Sequence, residues 1–170
     1  MGQASACAGL QSRYKKGVTL IEMLMVVTLI ALMAAVSYPS VTAGVDSLRI
    51  NGAADSIASL INLSLARTER RQAGVEFTVL PAEQAVVMLP SDPSGAQRIE
   101  MPPGVVVEAV YPLVPGYDPR LPRRFFLLPG GAPPRITIVL LNGRGSRRII
   151  SVDPISGTPL IRRLGPGESM

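Results

Sequence analysis

The sequence has very little of the chemistry on which most enzymes depend. It contains no histidine, and its one cysteine, Cys7, lies in a basic stretch at the N-terminus. These absences exclude Ser-His-Asp and Cys-His catalytic sites and the usual zinc sites. The acidic residues are scattered, and no cluster or pair stands out for calcium binding or hydrolysis. We therefore expect no enzyme activity, no metal, no cofactor, no small-molecule substrate and no disulfide in the chain after Cys7.

Positive charge is also scarcer than the overall composition suggests. The 170 residues include 17 Lys and Arg against 12 Asp and Glu, a net charge of +5. Three of these cations, Arg13, Lys15 and Lys16, lie in the first 17 residues, which hold no acid. Without that segment the chain has 14 arginines, no lysine and a side-chain charge of +2. The sequence pI of about 10.0 therefore overstates how basic the remainder is.

One long apolar run follows this basic segment. Residues 18–38 hold a single charge, that of Glu22, and their number is close to the ~20 residues that cross a bilayer as a helix. Because basic residues precede the run, the positive-inside rule predicts a cytoplasmic N-terminus and export of everything after it. The sequence thus indicates a membrane-inserted protein, with length for one domain plus an extended element.

Two ordinary interpretations of this N-terminus are a secretory signal peptide, cleaved near Val41-Thr42-Ala43, and a simple signal anchor. The run exceeds the ~7 to 15 apolar residues of a signal peptide, and a signal anchor does not explain Glu22. An ionised carboxylate in the apolar region costs on the order of 3 kcal/mol and marks a functional residue with a partner. A cut after Gly17 would give Val18 a free α-amino group, which can meet Glu22 of a neighbouring helix.

The string Lys15-Lys16-Gly17-Val18-Thr19-Leu20-Ile21-Glu22-Met23 resembles the class III signal of type IV pilins and type II secretion pseudopilins. The resemblance implies that a prepilin peptidase cleaves between Gly17 and Val18 on the cytoplasmic side and N-methylates Val18. It also implies that Glu22, the fifth residue of the processed chain, guides assembly. Val18 stands where this family most often has phenylalanine.

The pattern after Tyr38 predicts that the helix continues as an amphipathic one. Pro39 predicts a kink or local melting within it, and the resembled family often has a proline there. We expect the helix to end near Arg71, with cations in its last turn and Gly74 as a C-capping glycine. Apolar residues recur at spacings near three and four, at Val41, Val45, Leu48, Ala53, Ile57, Ile61 and Leu65.

Short β-rich runs separated by Pro and Gly follow the helix and predict a small antiparallel domain. The segment 112–122 has four prolines and is predicted to be a loop. The last three predicted strands should form a meander, because strong turn signals separate them. Seven strands are predicted, at 76–80, 85–89, 105–111, 124–128, 135–141, 147–152 and 159–163.

The expected fold class is therefore α+β, with a long N-terminal helix packed on a small antiparallel β-sheet head, as in pilins. The helix has a membrane half and an amphipathic half. We divide the chain into a removable leader at 1–17, a transmembrane or filament-core helix at 18–38, an amphipathic helix at 39–73 and a periplasmic head at 74–170.

Three strings, one at the end of the predicted helix and two in the head, resemble one branch of the family, the GspH/FimT-like minor pseudopilins. They are Ser64-Leu65-Ala66-Arg67-Thr68-Glu69, Leu128-Pro129-Gly130-Gly131 and Ile150-Ser151-Val152-Asp153-Pro154-Ile155-Ser156-Gly157. The resemblance implies a single-pass protein of the bacterial inner membrane with its head in the periplasm. It implies three partners: a prepilin peptidase, other pseudopilins and an inner-membrane assembly platform.

Arginine clusters in the head leave a second function open, because the FimT-like members of this branch bind DNA during uptake. Those relatives carry Gly-Arg-x-Arg near the C-terminus, whereas Gly157-Thr158-Pro159-Leu160 lacks both arginines, and aromatics for base stacking are few. An anion- or DNA-binding surface would require Arg144, Arg147 and Arg148 to converge with Arg162 and Arg163. A third cluster is Arg120, Arg123 and Arg124.

A solvated face or a subunit contact is the favoured interpretation of these clusters, so a nucleic-acid partner is the less favoured one. The preferred function is that of a minor pseudopilin of a type II secretion system, most like the H subunit. The alternatives are a FimT-like minor type IV pilin acting in DNA uptake or pilus assembly, and an anchored periplasmic binding domain.

Overall fold

A computed structural model describes residues 17–92 and 95–165 of the chain. One helix, α1, spans Leu20–Arg71 and precedes all the strands. Among the described residues, eight strands follow in chain order: β1 Val75–Leu80, β2 Ala85–Pro90, β3 Gln97–Glu100, β4 Val105–Tyr111, β5 Arg123–Leu127, β6 Thr137–Asn142, β7 Arg147–Val152 and β8 Pro159–Leu164. The predicted α+β class, with a long N-terminal helix and an antiparallel head, is confirmed.

The chain divides at Ser40 into two compact units. In the first unit, the helix is long and apolar enough to cross a membrane, judged by length and composition, and none of the residues in that apolar stretch is buried. The backbone remains helical through Pro39, so the predicted local melting is not observed. The kink predicted at Pro39 stays a prediction.

In the second unit, one stripe of the helix packs against the strands. Ile50 is completely buried, whereas Leu48 is 72% exposed. The predicted apolar stripe was therefore wrong at its start, where Val41 and Val45 are exposed as well. The reason is geometric: Leu48 and Ala53 are five positions apart, which places them on different faces of a helix with 3.6 residues per turn. The buried stripe comprises Ile50, Ala53, Ala54, Ile57, Ala58, Leu60, Ile61, Ser64 and Thr68.

The strands form two four-stranded antiparallel sheets where one was predicted. Sheet A has the order β3-β2-β1-β5, and sheet B has the order β4-β6-β7-β8. Strands β6, β7 and β8 form the predicted meander. The segment 112–122 contains no strand, as expected from its prolines. Alternate residues of both sheets, such as Phe77 and Ile138, are fully buried and join the helical stripe in one core.

Strand β3 was missed, because its sequence is polar and lacks the alternation of a half-buried strand. It exists through pairing with β2, where Ile99 lies opposite Val86 and is half-buried. The expected C-capping role of Gly74 was also wrong. Gln72 takes the left-handed conformation that ends the helix, with φ of 49°. Its side-chain Nε2 donates a hydrogen bond to the carbonyl of Glu69 at 2.7 Å.

Candidate assembly motif and arginine surfaces

The start of α1 is held by Thr19, which acts as its N-cap. The Thr19 hydroxyl accepts a hydrogen bond from the backbone N–H of Glu22 at 3.3 Å. The Thr19 carbonyl accepts hydrogen bonds from the N–H groups of Glu22 and Met23 at 3.1 and 3.2 Å. These contacts satisfy donors that every helix N-terminus leaves free. Sequence reasoning missed this role, although Thr-x-x-Glu before an apolar run is a known N-terminal signature.

Glu22 lies in this first helical turn, where a carboxylate is favoured by the positive end of the helix dipole. Its side chain is exposed, and it makes no ion pair within residues 17–92 and 95–165. Val18, just before the helix, is exposed too, and a Cβ built on Gly17 would meet nothing within 4 Å. None of the residues at 17–92 and 95–165 covers the expected cleavage site. The basic residues of the leader lie outside the described residues.

Two of the arginines singled out in the sequence are paired with acids of the same chain. Arg144 lies in the β6–β7 turn, and its Nε and Nη2 donate to Asp46 Oδ2 at 2.8 Å and to Thr42 Oγ1 at 2.7 Å. Arg147 makes a bidentate pair with Glu108, with both N–O distances at 2.7 Å. The hydrogen bonds from Arg147 lower the pKa of the Glu108 carboxyl. Both arginines are therefore largely occupied by acids of the same chain.

The other three arginines of this group do not form one surface with them. In the β7–β8 register Arg148 lies opposite Arg163, and Ile149 lies opposite Arg162. Because successive side chains of a strand point to opposite faces, Arg148 and Arg163 share one face of sheet B. Arg162 lies on the other face, as Arg147 does. The structure thus does not bring the five arginines together.

In the remaining cluster, Arg123 and Arg124 belong to the other sheet, and Arg120 lies in the turn before it. Arg123 lies in β5 of sheet A, 5.4 Å from the ring centre of Tyr117, and its Nη2 donates to the carbonyl of Pro112 at 2.7 Å. Arg124 Nε lies 3.5 Å from Glu76 Oε1. Arg123 therefore holds the proline-rich loop in place, and Arg124 is paired across strands. Neither arginine lies beside the arginines of sheet B.

Within the described part of the chain, no group of three or more Cys, His, Asp or Glu residues is placed to hold a metal ion. One groove between the end of α1 and the strands has a volume of about 240 Å³. It is lined by Leu65, Glu69, Leu127, Pro133 and Gly157, among others. Glu69 Oε1 accepts a hydrogen bond from the N–H of Gly130 at 3.0 Å, so this carboxylate is used in fixing a loop.

Comparison with known proteins gives two matches that agree with this geometry. Residues 12–38 match the prokaryotic N-terminal methylation motif. The fold is similar to that of the minor pseudopilin EpsH from the type 2 secretion system of Vibrio cholerae, with a TM-score of 0.50 and 13% sequence identity. The match covers 71% of this chain and 99% of that one. Comparison with curated proteins gives no significant match.

The structural likeness shows the fold, and the motif supplies an independent sign at the N-terminus. Together they confirm the resemblance to type IV pilin-like and pseudopilin proteins that the N-terminal string indicated. The chain combines a prokaryotic N-terminal methylation motif with the fold of a minor pseudopilin.

Proposed function

We propose that the chain is a minor pseudopilin of a type II secretion system. The observation that carries this proposal is the coexistence of the methylation motif at 12–38 with the fold of a solved minor pseudopilin. A prepilin peptidase cleaves between Gly17 and Val18 and methylates Val18. The processed chain stays in the inner membrane through residues 18–38, with the head in the periplasm. It then joins other pseudopilins at an inner-membrane assembly platform and becomes part of a short periplasmic pseudopilus.

Assembly is driven at Glu22 by pairing with a charge that cleavage creates. A carboxylate in the apolar part of a bilayer costs on the order of 3 kcal/mol unless it has a partner. In the described residues Glu22 has no ion pair, and the apolar side chains that surround it on α1 are exposed. The terminal amine of a neighbouring processed chain would neutralise Glu22, and the neighbour's helix would cover those apolar side chains.

The expected domain roles follow from this arrangement and are part of the proposal. The leader is removed, the segment 18–38 passes from the membrane into the filament core, and the helix 39–73 carries the head. Pro39 gives the helix a place to bend or unwind as the subunit leaves the bilayer.

A DNA-uptake pilin is less well supported by the arginines than the sequence suggested. Nucleic-acid binding needs several free cations along one surface, because each contacts a phosphate. Here Arg144 and Arg147 are paired with Asp46 and Glu108. A gel shift of the full chain in detergent, with duplex DNA at physiological salt, tests the alternative. Sub-micromolar binding that is lost on replacing Arg162 and Arg163 would favour the DNA-binding function over secretion.

The central experiment compares Glu22→Leu with its neighbour Met23→Leu in cells that carry the secretion system. Mass spectrometry of the purified chain should show a methylated Val18 terminus in both variants, because neither change touches the bond after Gly17. The Glu22→Leu chain should remain in the membrane fraction and be missing from cross-linked pseudopilus. The Met23→Leu chain should assemble as wild type, because it preserves the apolar surface.

Two results would contradict the proposal. An intact, unmethylated N-terminus in cells that contain a prepilin peptidase would support a simple anchored periplasmic domain. Normal assembly of Glu22→Leu beside wild-type partners would show that Glu22 does not need the amine of a neighbour.

A further inference from the structure

Two arginines face each other across the last two strands without an acid between them. Arg148 of β7 pairs in register with Arg163 of the edge strand β8, and both side chains lie on the same face of sheet B. This is the face that packs toward α1, because the Nε of Arg148 donates to Asn51 Oδ1 on that helix at 2.8 Å. Like charges directly opposite each other in a sheet are destabilising.

Arg148 is held in position and is only partly solvated. Its Nη1 donates to the carbonyl of Arg147 at 3.4 Å, in addition to the bond from Nε to Asn51. Loss of solvent, and then the charge of Arg163, lower the pKa of the Arg148 guanidinium. Arg163 is exposed and has no hydrogen bond or ion pair within residues 17–92 and 95–165.

Of the eight other arginines at 74–170, four are paired with an acid of the described chain. Arg98, Arg124, Arg144 and Arg147 each lie within 4 Å of a carboxylate oxygen of the described chain. The two facing guanidinium groups can both donate hydrogen bonds to one carboxylate, and such charge-assisted bonds are strong. No carboxylate of the described chain forms an ion pair with Arg148 or Arg163.

We propose that Arg148 and Arg163 bind a carboxylate of a neighbouring protein subunit. This inference rests on the proposed function, which places the chain among other pseudopilins. A protein carboxylate fits better than a nucleic acid, because the site offers two cations at one point and not a row along a backbone. The apolar Ile161 is exposed on the same face of β8, two residues from Arg163. An arginine beside an exposed apolar side chain is typical of protein–protein contacts.

The composition of the chain allows a specific test of this contact. Lys15 and Lys16 are the only lysines, and both lie in the leader. Arg163→Lys therefore gives the processed chain a single lysine. A carbodiimide joins that amine directly to any carboxylate touching it, so the partner peptide can be sequenced by mass spectrometry. The full-length variant is expressed in cells with the whole secretion system, and the reagent is applied to their membranes.

Arg162→Lys is the matched control, since it places the same amine on the same strand but on the opposite face. We expect a product that joins residue 163 to an Asp or Glu of another chain, and loss of that product when the lysine stands at 162. Equal cross-linking from both positions would overturn the proposal. A link from residue 163 to Glu168 or to the C-terminus of the same chain would overturn it too, because the acid would then be internal.

A second variant separates a role in subunit contact from a role in the stability of the head. Removing the repulsion with Arg163→Gln should leave the midpoint of thermal unfolding of the isolated chain equal to or above that of wild type. The same variant should lose recovery in the cross-linked pseudopilus, while Arg162→Gln changes neither quantity. A variant that unfolds earlier and assembles poorly would point to a structural role, and one that assembles normally would contradict the contact.

Failure of this inference is distinguishable from failure of the proposed function. The N-terminus of each variant is read in the same mass spectra. A methylated Val18 and normal assembly without a cross-link at 163 would refute the carboxylate contact alone. An unprocessed N-terminus in the wild-type chain would refute the function.

Discussion

A side chain that links the two sheets offers a sharp test of how the head is held together. Gln84 is the last residue of the β1–β2 turn of sheet A, and its Oε1 accepts a hydrogen bond from the backbone N–H of Val107 at 2.7 Å. Val107 is buried in β4 of sheet B, next to an irregularity in the pairing of β4 with β6. The Gln84 amide nitrogen also donates to the carbonyl of Pro81.

Replacing Gln84 by alanine should remove both side-chain bonds and leave the Val107 N–H without a partner. A net hydrogen bond contributes about 1 kcal/mol, and a buried donor left unpaired costs about 1–3 kcal/mol. We expect Gln84→Ala to lower the free energy of unfolding by roughly 2–4 kcal/mol. Urea unfolding of the full chain in detergent micelles, followed by circular dichroism of the strands, measures this quantity.

Gln72 is the matched control for this variant. It has the same φ of 49°, and its amide nitrogen likewise donates to a carbonyl three residues earlier, but it is exposed and its side-chain oxygen has no such inter-sheet bond. Gln72→Ala should therefore cost about 1 kcal/mol or less. If Gln84→Ala and Gln72→Ala destabilise the head equally, the link to Val107 contributes nothing and the reasoning is refuted.

Three further predictions concern the ion pair, the helix start and one turn. Arg147 lowers the pKa of Glu108 in the folded chain, so the stabilisation by this pair is present above the ordinary pKa of 4.5 and is lost as pH falls through the folded value. The free energy of unfolding, measured from about pH 6 to about pH 3, should therefore fall less for Glu108→Gln than for wild type. Thr19→Val should cost about 1 kcal/mol at the helix start and speed amide hydrogen exchange in the first turn, whereas Thr19→Ser should not. Gly157→Ala should destabilise the head more than Gly145→Ala, because both glycines have positive φ but only the Cβ at 157 would meet another residue, a proline carbon at 3.2 Å; equal unfolding midpoints would contradict this.

Local patterns of sequence predicted most of the secondary structure. The strand over Val105–Tyr111 was predicted with its observed bounds, since a run rich in β-branched residues is a local property. The same reasoning failed at β3, where the polar residues 97–100 become a strand because β2 offers an edge to pair with. It also failed at Leu48, because periodicity alone does not tell which stripe the sheets will cover.

The candidate site also has features that the sequence predicted and features that it did not. Glu22 stands out in the sequence because a charge within an apolar run is visible without any tertiary information. The capping role of Thr19 was available from the same string and was missed. The ion-pair partners of the arginines could not be predicted from the sequence, because they are far away in the chain. Arg144 pairs with Asp46, 98 residues away, and Arg147 pairs with Glu108, 39 residues away.

The sequence by itself determined that this chain has a long apolar segment with one carboxylate near its start, and a β-rich head without cysteine. Those features depend on the order of neighbouring residues. Only the tertiary structure decided that the head has two sheets joined at Gln84, and that the arginines separate into paired and unpaired sets. The physical reason is that ion pairs and sheet registers join residues far apart in the chain. The alternation of β8 placed Arg162 and Arg163 on opposite faces, and this left Arg163 opposite Arg148, where an acid of another subunit is expected.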